Sequence, residues 1–163
     1  MTGVQTCALP IYDVVAVSVW GAPNPPRRSE ALRAELIALF GRFDSDLQAR
    51  MSTVAGALRT LKPAEPHWYL QFLGTHPDWQ RRGLGSMLSS VVSERCDREG
   101  TLQFLETSTE DDVAFYSSRG FQVSDTLTIT APELTMGGTA GASRASWPTE
   151  VTVTTMIRPP AAG

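Results

Sequence analysis

Cysteine is scarce in this chain of 163 residues: Cys7 and Cys96 stand far apart, with no C-x-x-C spacing. No cysteine metal or redox motif can be written from them, and a reducing cytoplasm is the expected compartment. No apolar run reaches the length of a membrane span. Residues 1–11 have neither a basic region nor an apolar stretch long enough for a signal peptide. Cations are not in excess, since the formal net charge is −3, which argues against a general binder of nucleic acid or membrane surfaces. The phosphate loop G-x-x-x-x-G-K-[ST] is missing. So is a dinucleotide G-x-G-x-x-G with an acid about twenty residues on. No internal repeat is visible.

What remains is a chain of ordinary domain size with 42% hydrophobic residues, enough for a real core. Residues 12–20 (YDVVAVSVW) read as a strand ended by Gly21-Ala22-Pro23. Ser29 has the character of a helix N-cap. After it, Leu32, Leu36, Leu39, Phe40, Phe43, Leu47, Met51, Val54, Leu58 and Leu61 keep helical spacing. Two helices, or one broken near residues 41–46, are expected, with the apolar stripe packed in the core. Residues 62–66 form a linker. Gly100 closes a helix over residues 84–98. Residues 101–107 read as a short buried strand, and Asp111 and Asp112 suit the start of the next helix. Phe121, Val123, Leu127 and Ile129 belong to a further strand. Residues 131–148 read as a loop and residues 151–157 as the last strand. Strands alternating with helices predict an α/β (α+β) domain, a mixed sheet covered on both faces.

The most informative stretch is residues 67–96. Trp68, Tyr69, Leu70, Phe72 and Leu73 make a buried strand that stops at Gly74, Thr75 and Pro77. Leu84, Met87, Leu88, Val91 and Val92 are spaced as the apolar stripe of a helix, with Cys96 on or beside it as a small buried thiol. Between them lies Gln80-Arg81-Arg82-Gly83-Leu84-Gly85-Ser86, the pattern Q-x-x-G-x-G. A helix begins with unpaired N–H groups at the positive end of its dipole, which suits an anion. Gly83 and Gly85 let a phosphate approach the backbone. Arg81 and Arg82 add charged donors. No Ser, Thr, Asp or Asn cap stands directly before Gly83, and an external anion can take that place.

Strand, Q/R-x-x-G-x-G/A and helix, followed by Phe104-Leu105-Glu106-Thr107-Ser108 and Val113-Ala114-Phe115-Tyr116-Ser117-Ser118-Arg119-Gly120-Phe121, resemble the GNAT superfamily of N-acetyltransferases. Within it the puromycin N-acetyltransferase-like members are the most similar. The resemblance runs over residues 12–130 and implies a GNAT-type central mixed sheet flanked by helices. It also implies acetyl-CoA as co-substrate, no metal, and an amine acceptor from a small molecule or peptide, with direct attack in a ternary complex. On it, Leu73, Gly74 and Thr75 offer backbone groups to the pantetheine arm, and Arg81, Arg82, Gly83, Leu84, Gly85 and Ser86 cradle the pyrophosphate. Tyr116 matches the family's general acid. Asp112 stands where many relatives carry a cofactor-bonding Asn. Glu106 is the candidate base, because it follows an apolar strand; His76, a loop residue, is a weaker one. A module that binds acyl-CoA without turnover, or a phosphate-binding regulatory domain, fits the same turn.

Residues 1–11 (MTGVQTCALPI) look like a translated sequencing adapter, and the first strand and helices of the resembled fold have no counterpart before residue 12. The expectation is a partial acetyltransferase domain over residues 12–160 whose first strand exposes an unpaired edge.

Overall fold

The structure is a computed structural model that describes residues 4–11, 13–26, 28–130 and 150–161. Its elements in chain order are β1 (Val4–Ile11), β2 (Asp13–Gly21), α1 (Glu30–Phe40), α2 (Ser45–Thr60), β3 (His67–Thr75), α3 (Leu84–Glu99), β4 (Leu102–Thr107), α4 (Glu110–Ser117), β5 (Gln122–Thr130) and β6 (Glu150–Arg158), with a 3₁₀ turn at Pro77–Trp79. The sheet order is β1-β2-β3-β4-β6-β5. β3 and β4 run parallel, and α3 is the crossover that such a pair requires. The predicted mixed α/β fold is the one found. Residues 131–148, read as a loop, lie outside the described residues.

The chain divides into two compact units. The first comprises Met1–Arg27, Pro63–Asp125 and Thr154–Gly163. Its core gathers Trp20 of β2, Trp68 and Leu70 of β3, Val92 and Cys96 of α3, Leu105 of β4, Tyr116 of α4, Phe121, and Met156 of β6. Cys96 lies fully inside it. Burial pushes its thiol up to about 12, so it is packing material and a poor nucleophile. The predicted stripe of α3 needs correction. Leu88, Ser89, Val92 and Cys96 are the buried positions, whereas Met87 and Val91 are 54% and 48% exposed. The stripe is rotated because Ser89, a small polar residue, faces inward.

The second unit comprises Arg28–Lys62 and Thr126–Val153. Ser29 caps α1, its Oγ accepting from the Leu32 amide at 3.2 Å. Gly41 ends the helix. Asp44 caps α2 by accepting from the Leu47 amide at 2.8 Å, so the break falls where the sequence placed it. The expected burial of the stripe is not found: α1 has no buried residue, and Leu32, Leu36 and Leu39 are 43%, 40% and 51% exposed. Periodicity identifies the apolar face of a helix but not what covers it. Thr128 and Thr152 join β5 to β6 through their hydroxyls at 3.1 Å.

β2 has no open edge. β1 pairs with it antiparallel from Val4↔Gly21 to Ile11↔Asp13, so residues expected to lie outside the domain supply a strand. Alternating backbone donors and acceptors suffice for such pairing, whatever the side chains.

Candidate acetyl-CoA site

All site residues lie in the first unit. The opening is made by two irregularities in β3. Its pairing with β2 skips Gln71, because Val19 faces Phe72 and Trp20 faces Leu70. This is a bulge, which bends and twists a strand. On the other side, the parallel ladder with β4 ends at Leu70↔Leu105. Beyond that fork, residues 72–75 remain paired to β2, while Glu106 and Thr107 pair with β6. The flank of Leu73, Gly74 and Thr75 facing β4 therefore has no ladder partner and can receive an extended ligand arm.

The chain then turns into α3. His76 caps the 3₁₀ turn, its Nδ1 accepting from the Asp78 amide at 3.3 Å, which gives this histidine a local structural role. Arg81 and Gly83 both adopt the left-handed conformation, with φ of 61° and 81°. Gly83 is the helix N-cap and supplies no side-chain cap bond. The first helical bond runs from the Met87 amide to the Gly83 carbonyl at 3.0 Å, leaving the N–H groups of Leu84, Gly85 and Ser86 ahead of it. Nothing lies within 4 Å of a Cβ placed on Gly83, but one on Gly85 would meet Phe115 Cζ at 3.4 Å and Leu73 Cδ2 at 3.8 Å. Gly83 thus serves the turn and Gly85 the close packing of β3, α3 and α4. Arg82 stacks on Trp79, 4.7 Å from the ring centre.

α4 presents the phenol candidate. Tyr116 is 9% exposed and packs edge-on against Phe115 and Phe121. Burial, reinforced by the charge of Asp112 and opposed by that of Arg119, pushes its phenol up to about 12. Asp112 works locally: its Oδ2 accepts from Thr109 Oγ1 at 2.7 Å and Thr107 Oγ1 at 3.1 Å, and Thr109 Oγ1 accepts from its amide. Thr109 and Asp112 thus hold each other at the start of α4, and one carboxylate oxygen of Asp112 is engaged there.

Glu106 lies at the fork. Its Oε2 accepts from Tyr69 Oη at 2.6 Å, and its Oε1 is buried with no partner among the described residues. Burial and then Glu106 drive the Tyr69 phenol far above its ordinary value, so Tyr69 stays a donor. Leu105 belongs to the core cluster with Tyr116, and alternation along β4 turns Glu106 to the other face of the sheet. The two candidates for proton chemistry therefore flank the fork from opposite faces. Tyr69 went unnoticed in the sequence because it sits inside an aromatic run that reads as core. Arg119 also went unnoticed. Its guanidinium lies 3.4 Å from the Phe115 ring centre and donates to Ser86 Oγ in the first turn of α3 and to the Phe115 carbonyl.

Residues 47–123 match the family model of the acetyltransferase (GNAT) domain. Solved structures agree. The ribosomal-protein-S18-alanine N-acetyltransferase of Escherichia coli superposes with a TM-score of 0.55 at 15% identity, covering 99% of this chain and 72% of that one. A histone acetyltransferase and related acetyltransferase of Corynebacterium glutamicum gives 0.53 at 20%, covering 93% and 60%. The polyamine N-acetyltransferase of Drosophila melanogaster gives 0.51 at 18%, covering 93% and 72%. At these identities the likeness is one of fold. With the family match, which spans less than half of the chain, it makes this fold similar to that of GNAT acetyltransferases. Among the described residues no group of His, Cys, Asp or Glu is arranged to hold a metal ion, and no helix is long and apolar enough to cross a membrane.

Proposed function

We propose that this chain transfers the acetyl group of acetyl-CoA to an amine by direct attack within a ternary complex. The observation that carries the reading is the fork. An unpaired flank of β3 leads straight into a helix start with free N–H groups, a left-handed glycine cap and two arginines directly before it. The flank suits the amides of a pantetheine arm. The helix start suits a diphosphate.

The amine nitrogen bonds to the thioester carbon, the C–S bond breaks, and the sulfur departs as thiolate. An alkylammonium, with a pKa of about 10, must first lose a proton. Glu106 receives it, directly or through water, at its unpartnered Oε1, while Tyr69 holds the other oxygen. A backbone N–H of residues 73–75 polarises the thioester carbonyl. Tyr116 acts on the sulfur. Its phenol, near 12, is a weaker acid than a thiol of pKa about 8.5, so full proton transfer runs uphill. Its contribution is a charge-assisted hydrogen bond to the developing thiolate, and the proton itself comes from solvent. Positioning supplies much of the remaining rate.

The acceptor is a small aminated molecule, with puromycin-like antibiotics the first class to test and peptide N-termini the second. The names of the similar structures span a protein alanine and a polyamine, so the fold leaves this choice to the pocket. The experiment is calorimetry with coenzyme A followed by a thiol-release assay on an amine panel. Micromolar binding with turnover on at least one amine supports the reading. Loss of binding on Arg81→Glu/Arg82→Glu supports the cradle. Absence of coenzyme A binding to the folded chain overturns both, and binding with no turnover on any amine leaves a non-catalytic acyl-CoA module.

A further inference from the structure

Along α3 runs a groove of ≈ 340 Å³ lined by Ser86, Ser89, Ser90, Ser93, Ser118, Arg119 and Arg158. Its two cations are not equivalent. Arg158 is neutralised, since its Nη1 and Nη2 each donate to Asp97 at 2.8 Å. Arg119 has neutral partners: Ser86 Oγ, Ser118 Oγ and the Phe115 carbonyl. No carboxylate pairs with it among the described residues. Its Nε is buried without a partner. Ser89, 2% exposed, also lines the groove, and its Oγ is buried and unpartnered. A partly buried guanidinium without a counter-charge is costly, and a stranded N–H and hydroxyl beside it are what an oxyanion satisfies.

We infer that this groove is a second anion subsite, adjoining the 81–86 turn at Ser86, that takes a phosphate monoester with Arg119 as its charged ligand and Ser89 as a hydroxyl donor. Two sources offer that group: the 3′-phosphate of coenzyme A, in which case the inference rests on the proposed function, or a separate phosphorylated metabolite.

Calorimetry with coenzyme A, with 3′-dephospho-coenzyme A and with inorganic phosphate separates them. If the 3′-phosphate is the ligand, coenzyme A binds roughly ten- to hundredfold tighter than the dephospho form, the range of a charge-assisted contact. Arg119→Gln removes that preference and Arg119→Lys restores part of it. If the source is separate, the two coenzymes bind equally, inorganic phosphate binds on its own, and Arg119→Gln abolishes the phosphate binding. Ser90 is exposed, so Ser90→Glu introduces a repelling charge without disturbing the core and has the same effect in either case. The inference is overturned if wild-type protein shows neither the preference nor phosphate binding, or if Arg119→Gln and Ser90→Glu, both folded by circular dichroism, leave them intact. Loss of both coenzymes with phosphate binding retained would refute the proposed function and spare the subsite.

Discussion

At the scale of residues, the side chains that matter are those with one satisfied end and one free end. Glu106 is held by Tyr69 through Oε2 and is bare at Oε1. Tyr69→Phe removes the donor that orients the carboxylate and leaves both oxygens without it. Turnover is expected to fall about tenfold, the worth of one charge-assisted hydrogen bond, with coenzyme A affinity unchanged. In a Glu106→Gln background the same substitution should have little further effect, because coupled residues are not additive. Additive losses would refute the positioning role. For Tyr116, replacement by Phe keeps the ring packing and deletes the hydroxyl. Turnover should drop about 10²- to 10³-fold, the worth of one donor aimed at developing charge, while acetyl-CoA binding changes little; unchanged turnover would strip the phenol of its role. The sequence exposed Tyr116 because Phe-Tyr followed by Gly120 is a local signature. It hid Arg119 and Tyr69 because their meaning depends on residues 33 and 37 positions away.

At the scale of elements, α3 shows what local pattern can and cannot specify. Its start at Gly83 and its end at Gly100 were both legible, since each requires a left-handed residue. Its inward face was not, because Ser89 packs inside while Met87 and Val91 do not. The fork was illegible too: where β3 stops pairing with β4 depends on a bulge at Gln71 that no residue type announces. Near its other end α3 is tied to β6 by the bidentate Asp97–Arg158 pair and by the Ala161 amide, which donates to Asp97 at 2.8 Å. The Arg158 hydrogen bonds hold the Asp97 carboxyl at about 2, below its ordinary 3.8. A depressed folded-state value means the stabilisation is complete above about pH 4 and fades as pH falls toward 2. Urea unfolding should show wild type more stable than Asp97→Asn by about 1–2 kcal/mol at pH 7, with the gap closing by pH 2. A gap independent of pH would mean that the pair is not the cause. The exposure of α1 invites an equally direct check. Ile37→Ser should cost under about 0.5 kcal/mol as a surface change, whereas a core position would cost several times more.

At the scale of the whole molecule, a chain with net charge −3 is proposed to hold a polyanion. The global field opposes that encounter, and the local cluster of Arg81, Arg82, the α3 amides and Arg119 must overcome it. Distance decides the balance. At about 0.1 M ionic strength charges beyond about 10 Å are largely screened, so the distributed negative charge fades while direct contacts at the turn persist. Coenzyme A affinity should therefore fall severalfold between about 50 and 500 mM salt, as the contacts themselves are screened. In Arg81→Glu/Arg82→Glu the local sign reverses and the chain becomes more negative still. Binding should then be weak at low salt and should improve, or at least stop falling, as salt is added. Calorimetric titration of both proteins across that range reads the two slopes. Parallel slopes would mean that the arginines sit outside the ligand's field, and the turn would lose its place as the phosphate cradle even if coenzyme A still bound.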